Sequence, residues 1–104
     1  MEKYFLHGSL RARSGRGDAL AEILLEAADL VSGAAGCRLY VISRDPASEQ
    51  TVYVTEIWDS KEDHDRSLTD EHVRALITRA IPLLEGAPQK GQELVLVGGA
   101  GITG

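Results

Sequence analysis

The densest run of apolar positions is Thr51 to Trp58, TVYVTEIW, rich in the β-branched and aromatic residues that pack well on a pleated surface. It predicts a strand. Period two sends Val52, Val54, Glu56 and Trp58 to one face and Tyr53, Thr55 and Ile57 to the other, so both faces are mostly apolar and both need a cover. Tyr4 to Leu10 alternates in the same way and predicts a first strand, Cys37 to Arg44 a second, and Glu93 to Val97 a last one before the glycine-rich tail 98–104. Between them the period changes. Ile23, Leu24, Ala27, Ala28 and Val31 keep helical spacing with Glu22, Glu26 and Asp29 on the wet side, and Val73, Leu76, Ile77, Ala80, Ile81 and Leu84 form a second helical stripe.

Local signals punctuate these elements. Gly15 and Gly17 loosen the chain before Asp18, whose carboxylate suits a helix N-terminus, and Gly33 with Gly36 ends that helix. Asp45-Pro46 opens the six-residue loop DPASEQ, a length that suits an antiparallel hairpin. Ser60 followed by Asp63 matches a capping box, and Thr69 with Asp70 and Glu71 offers a second helix start. Pro82 inside the second stripe predicts a kink or an early end. The order β-α-β-β-α-β is the ferredoxin-like α+β arrangement, an antiparallel sheet with both helices on one face, in one domain over residues 1–104. Helices then leave one apolar sheet face bare. A second copy of the same sheet, packed across a two-fold axis, is the simplest cover and predicts a homodimer.

Charge and composition narrow the function. Eleven Lys and Arg stand against 16 Asp and Glu, a formal net charge of −5 that repels phosphate backbones and argues against nucleic acid. No apolar run approaches the ~20 residues of a membrane span, and MEKYFLHGSL lacks a signal-peptide core. The expectation is a cytoplasmic protein that does not engage a membrane. Cys37 is the single cysteine, so neither an internal disulfide nor a thiolate metal site can form within one chain, and its setting is that of a small buried hydrophobe.

Chemistry concentrates between Glu56 and His72. The capping signal at Ser60 places His64 on a helix just past a strand end. Imidazole is the side chain suited to proton transfer at neutral pH, and this one sits among Glu62, Asp63 and Asp65. Glu56 interrupts an apolar strand face, which is costly unless the carboxylate is paired or lines a wet cavity; a salt bridge with Arg38 or Arg44 is the first expectation, and a role in orienting His64 or substrate is the second. Trp58 could wall a flat ligand or belong to the core, and Tyr40 and Tyr53 offer hydroxyls that could meet a ligand oxygen or pack across strands. His7 and His72 are further candidates for the cavity, and Leu68 for its lining. His7, His64, His72 and Glu56 have no metal-ligand spacing, and GGAGITG lacks the lysine and following helix of a phosphate loop.

GCRLYVISRDP, TVYVTEIWDSKEDHDRSL, RAIPLL and LVGGAG together resemble the antibiotic biosynthesis monooxygenase family, from Gly17 onward. The glycine-cysteine start of the second strand, Glu-x-Trp at the end of the third, and the histidine six residues beyond that tryptophan carry the resemblance most specifically. It implies a dimeric α+β barrel whose protomers each keep a cavity between sheet and helices. It also implies oxygenation of phenols, quinols or anthrones by O2 with no metal or flavin cofactor. A branch of this fold degrades haem, but its macrocycle-pressing tryptophan and iron-ligating histidine align with Ser67 and Ile77 here, which argues against haem chemistry. On this resemblance His64 is the base, and Glu56, Trp58, Tyr53, Tyr40, His72 and Leu68 are substrate-binding candidates. The alternatives are a non-catalytic binding barrel and an isomerase or cyclase on the same scaffold.

Overall fold

A computed structural model describes residues 2–102. The elements are β1 (Lys3–Arg11), α1 (Gly17–Val31), β2 (Cys37–Asp45), β3 (Ser48–Trp58), α2 (Lys61–Ser67), α3 (Glu71–Ala80) and β4 (Gln92–Leu96), with a 3₁₀ turn over Ile81–Leu83. The four strands form one sheet in the order β2-β3-β1-β4, every neighbouring pair antiparallel. This is the ferredoxin-like α+β fold, with β3 and β1 at the centre. The two helix starts give two separate helices, α2 and α3, and the second stripe is cut short: α3 stops at Ala80, because Pro82 has no N–H to continue it, and Ile81–Leu83 form the 3₁₀ turn.

The period-two reading of β3 matches the packing. Val52 and Trp58 are fully buried under the helices, and Leu20, Leu24, Ala27 and Val31 of α1 close over them. The core has two lobes, one around Leu20, Val52 and Leu84 and one around Val31, Trp58 and Val73. On the opposite sheet face Val41 and Leu94 are exposed and Phe5 and Tyr53 are half-buried, beside polar His7 and Thr55, so the face left bare by the helices carries an apolar patch within a mixed surface.

Several local expectations change. The β2–β3 connection is a two-residue turn closed by the Ala47 N–H donating to Asp45 Oδ1 at 2.8 Å, not a six-residue loop. Pairing skips from Arg44–Val52 to Asp45–Ser48, so residues 49–51 bulge from β2 while the Gln50 carbonyl accepts from Ala12 N–H at 2.7 Å. Polar residues thus extend the strand through backbone pairing that side-chain pattern does not report. Helix α1 starts at Gly17 with no side-chain cap, and Asp18 instead pairs with Arg44 at 3.1 Å. The cap of α3 is Asp70, which accepts from the His72 and Val73 N–H groups; Thr69 donates its hydroxyl to Arg66 O.

Candidate functional site

Ser60 places the site. It stands in extended backbone at the end of β3, and its Oγ accepts from Asp63 N–H at 3.1 Å, starting α2. The reciprocal half of the capping box is absent, because Asp63 pairs with Arg66 at 2.8 Å. Gly36 makes room for this arrangement: its φ of 84° is in the left-handed region, and a Cβ there would run into the Asp63 carboxylate. One helical turn after Ser60, His64 is turned back over the sheet with a side chain only 13% exposed.

Two aromatic and two acidic side chains surround its ring. The His64 ring lies 5.9 Å from Trp58, edge to face, and 5.3 Å from Tyr4, which stands opposite Trp58 in the β1–β3 register. His64 Nε2 is 3.8 Å from Glu56 Oε1, and Nδ1 is 3.0 Å from Asp65 Oδ1. The same Glu56 Oε1 accepts the Trp58 indole N–H at 3.0 Å. Burial pushes the Glu56 carboxyl above its ordinary range, against the opposing pull of the Trp58 N–H and the His64 ring. The expected partners Arg38 and Arg44 do not reach Glu56: Arg38 pairs with Asp59 at 2.8 Å and Arg44 with Asp18. In the β2–β3 register Tyr40 stands opposite Glu56, whereas Arg44 is opposite Val52 and Arg38 lies in the irregularity between Cys37 and Leu39.

Glu56 and His64 line an apolar hollow of about 90 Å³ walled by Leu24, Tyr40, Leu68, Leu76 and Ile77. A second hollow of about 240 Å³ shares Leu24, Tyr40, Glu56 and Ile77 with it and opens past Ser9 and Gln89. Tyr40 is the Cα partner of Glu56, and burial first, then the Glu56 charge, keeps its phenol protonated far beyond neutral pH. A larger concavity of about 360 Å³ lies outside, between the end of α1 and α2–α3, and shares Val31, Ser67 and Val73 with the inner hollow. Its polar groups are engaged locally, Asp63 with Arg66 and Asp70 with the α3 N–H groups.

The structure brings His64, Glu56, Tyr40 and Leu68 to one place. Trp58 lies beneath them, fully buried in the core, and lines neither hollow. Tyr53 is on the other sheet face, stacked on His7 at 5.6 Å, where His7 Nδ1 and Thr55 Oγ1 are 2.9 Å apart. His72 is 79% exposed beside Asp70, and it does not reach the hollow. Sequence reasoning missed Tyr4 and Asp65, which contact the His64 ring directly; Asp65 was visible only as a neighbour in an acidic run. Cys37 is half-buried, and burial raises its thiol pKa, as suits a packing residue. Among the described residues no group of three or more His, Cys, Asp or Glu side chains is placed to hold a metal, and no helix is long and apolar enough to cross a membrane.

The comparisons with known proteins agree with this architecture. The antibiotic biosynthesis monooxygenase profile matches residues 3–79, which includes the first strand, GCRLYVISRDP and TVYVTEIWDSKEDHDRSL, and stops before all but the first residue of RAIPLL and before LVGGAG. A candidate antibiotic biosynthesis monooxygenase from Chloroflexus aurantiacus superposes with a TM-score of 0.86 at 40% identity, covering 97% of this chain and 99% of that one. Two more distant structures share the fold. A candidate monooxygenase of the same name from Caulobacter crescentus has 20% identity and a TM-score of 0.83, with 92% and 91% of the two chains covered. The NE2512 protein from Nitrosomonas europaea has 23% identity and a TM-score of 0.82, with 100% and 98% covered. No curated protein matches the chain. A profile match from the first strand to the last turn of α3, with a 40% identical structure over nearly the full length, makes this chain a member of the antibiotic biosynthesis monooxygenase family.

Proposed function

We propose that this protein oxygenates a small, electron-rich aromatic substrate of the quinol, polyphenol or anthrone type with O2, without a cofactor. The observation that supports this most is a nearly buried imidazole and a buried carboxylate, 3.8 Å apart, at an apolar hollow. His64 takes a proton from the substrate as general base, and the Glu56 carboxylate stabilises the imidazolium that results. The substrate anion then passes one electron to O2, and the radical pair combines in a C–O bond. The imidazolium returns its proton to the peroxide, and loss of water breaks the O–O bond. For a methylene carbon the sum is CH2 plus O2 giving C=O plus water, with all four electrons from the substrate. The Tyr40 phenol, kept neutral beside Glu56, donates to the substrate oxygen on which charge develops, and Leu68 forms part of the apolar wall.

Two hollows that share Tyr40 and Glu56 as walls would suit a molecule larger than one ring if the substrate spans both, since specific sites enclose roughly 300 Å³ or more. The apolar residues on the bare sheet face support a homodimer built through Val41, Tyr53 and Leu94. Oxygen consumption with a panel of quinols and anthrones under air tests the reading. Turnover that falls about a hundredfold or more in His64→Ala is expected. No consumption above that of His64→Ala across the panel overturns it. Saturable binding of the same compounds without consumption identifies a binding barrel instead.

A further inference from the structure

His64 stands between two carboxylates on opposite edges of its ring. Glu56 faces Nε2 at 3.8 Å and Asp65 faces Nδ1 at 3.0 Å, and only the second is at hydrogen-bond distance. Asp65 is itself restrained. Its other oxygen, Oδ2, accepts from Lys61 Nζ at 2.9 Å, one turn earlier on the same helix. The Lys61 ammonium, and then the His64 ring, hold the Asp65 carboxyl below its usual range, so near neutral pH it is an acceptor with no proton to give. A ring nitrogen this close to a carboxylate oxygen must carry hydrogen, because two lone pairs would otherwise meet. Turning the ring about Cβ–Cγ would put Cδ2 in place of Nδ1 and lose this hydrogen bond, and Tyr4 and Trp58 bracket the ring at 5.3 and 5.9 Å.

We infer that Asp65, clamped by Lys61, is a positioning residue that holds His64 in the Nδ1–H tautomer and so leaves Nε2 unprotonated toward the Glu56 side of the hollow. The inference rests on the proposed role of His64 as base, and it states which nitrogen acts. A general base needs its lone pair on the substrate side, and the second ring nitrogen decides this by the hydrogen bond that it makes. Asp65 does not touch the hollow. Its effect passes entirely through the ring.

Two-bond 1H–15N correlation spectra of the 15N-labelled full chain, recorded at a pH where the ring is neutral, read the tautomer directly. In the wild type His64 is expected to show a protonated Nδ1 and an unprotonated Nε2. Asp65→Ala, and Asp65→Leu as a second variant without an acceptor, are expected to move the population toward Nε2–H. Where a turned-over substrate is in hand, kcat should fall about tenfold to a hundredfold with KM little changed. A wild-type ring protonated mainly on Nε2, or a tautomer unaltered in both variants, overturns the inference. If the tautomer behaves as expected while no substrate consumes oxygen, Asp65 keeps its positioning role and the monooxygenase reading falls.

Discussion

Glu56 Oε1 is shared by two groups, accepting the Trp58 indole N–H at 3.0 Å and standing 3.8 Å from His64 Nε2. One oxygen therefore ties the only tryptophan of the core to the histidine of the hollow. Stability and the proposed chemistry meet on this atom, and each can be probed by changing it.

Replacing Glu56 by Ala leaves the buried indole N–H without an acceptor, which costs about 1–3 kcal/mol. Glu56→Gln keeps an acceptor oxygen and should cost less. Urea denaturation of Glu56→Ala, Trp58→Phe and the double variant measures the coupling, and a coupling near zero would show that the bond does not form in solution.

The carboxyl of Glu56 is raised by burial, so the folded state holds its proton to higher pH than the unfolded chain, whose ordinary value is 4.5. The unfolded state then binds fewer protons, and stability falls as pH rises above 4.5 until the folded carboxyl has ionised. Relative to Glu56→Gln, the wild type should lose stability over that interval. A difference that grows in favour of the wild type would contradict the burial argument.

Asp59 behaves in the opposite sense. Hydrogen bonds from Arg38 and then Lys3 pull its carboxyl from 3.8 down to about 2, at the junction of β1, β2 and the end of β3. Its contribution is present above pH 3.8 and is lost as pH falls through about 2. Acid titration of unfolding should show this loss in the wild type and a flatter profile in Asp59→Asn.

Ser60→Ala removes the hydroxyl that caps α2, for an expected cost of about 1 kcal/mol. Since α2 has seven residues and none of them is buried, the effect should be local. Amide exchange is expected to quicken from Asp63 to Ser67 while α1 is unaffected. Uniform acceleration across the chain would refute a local cap.

Val41 is 44% exposed on the bare sheet face, so Val41→Lys should leave the protomer folded. If two sheets pack face to face, sedimentation will show a dimer for the wild type and a monomer for Val41→Lys. A wild-type monomer would remove the proposed cover of that face.

The scaffold was legible because alternation and helical spacing are local consequences of which side of an element is wet. Val52, Val54, Glu56 and Trp58 were assigned to one face of β3, and that is the face the helices cover. The site was legible only in part. Ile77 and Leu76 read as core stripe residues and in fact line the hollow, because a wall of a cavity and a wall of a core have the same periodicity.

What the linear chain determined was the order of elements, the break at Pro82, the cap at Ser60 and hence the placement of His64 just beyond β3. These depend on neighbours within one or two turns. Register and approach between distant segments were decided by tertiary packing: that Arg38 turns to Asp59 and Arg44 to Asp18, that Tyr4 comes to lie against His64, and that Tyr53 stands on the far side of the sheet from the hollow. A buried carboxylate must find partners, but which groups fill that need depends on three-dimensional distance, and for Glu56 these are Trp58 and His64.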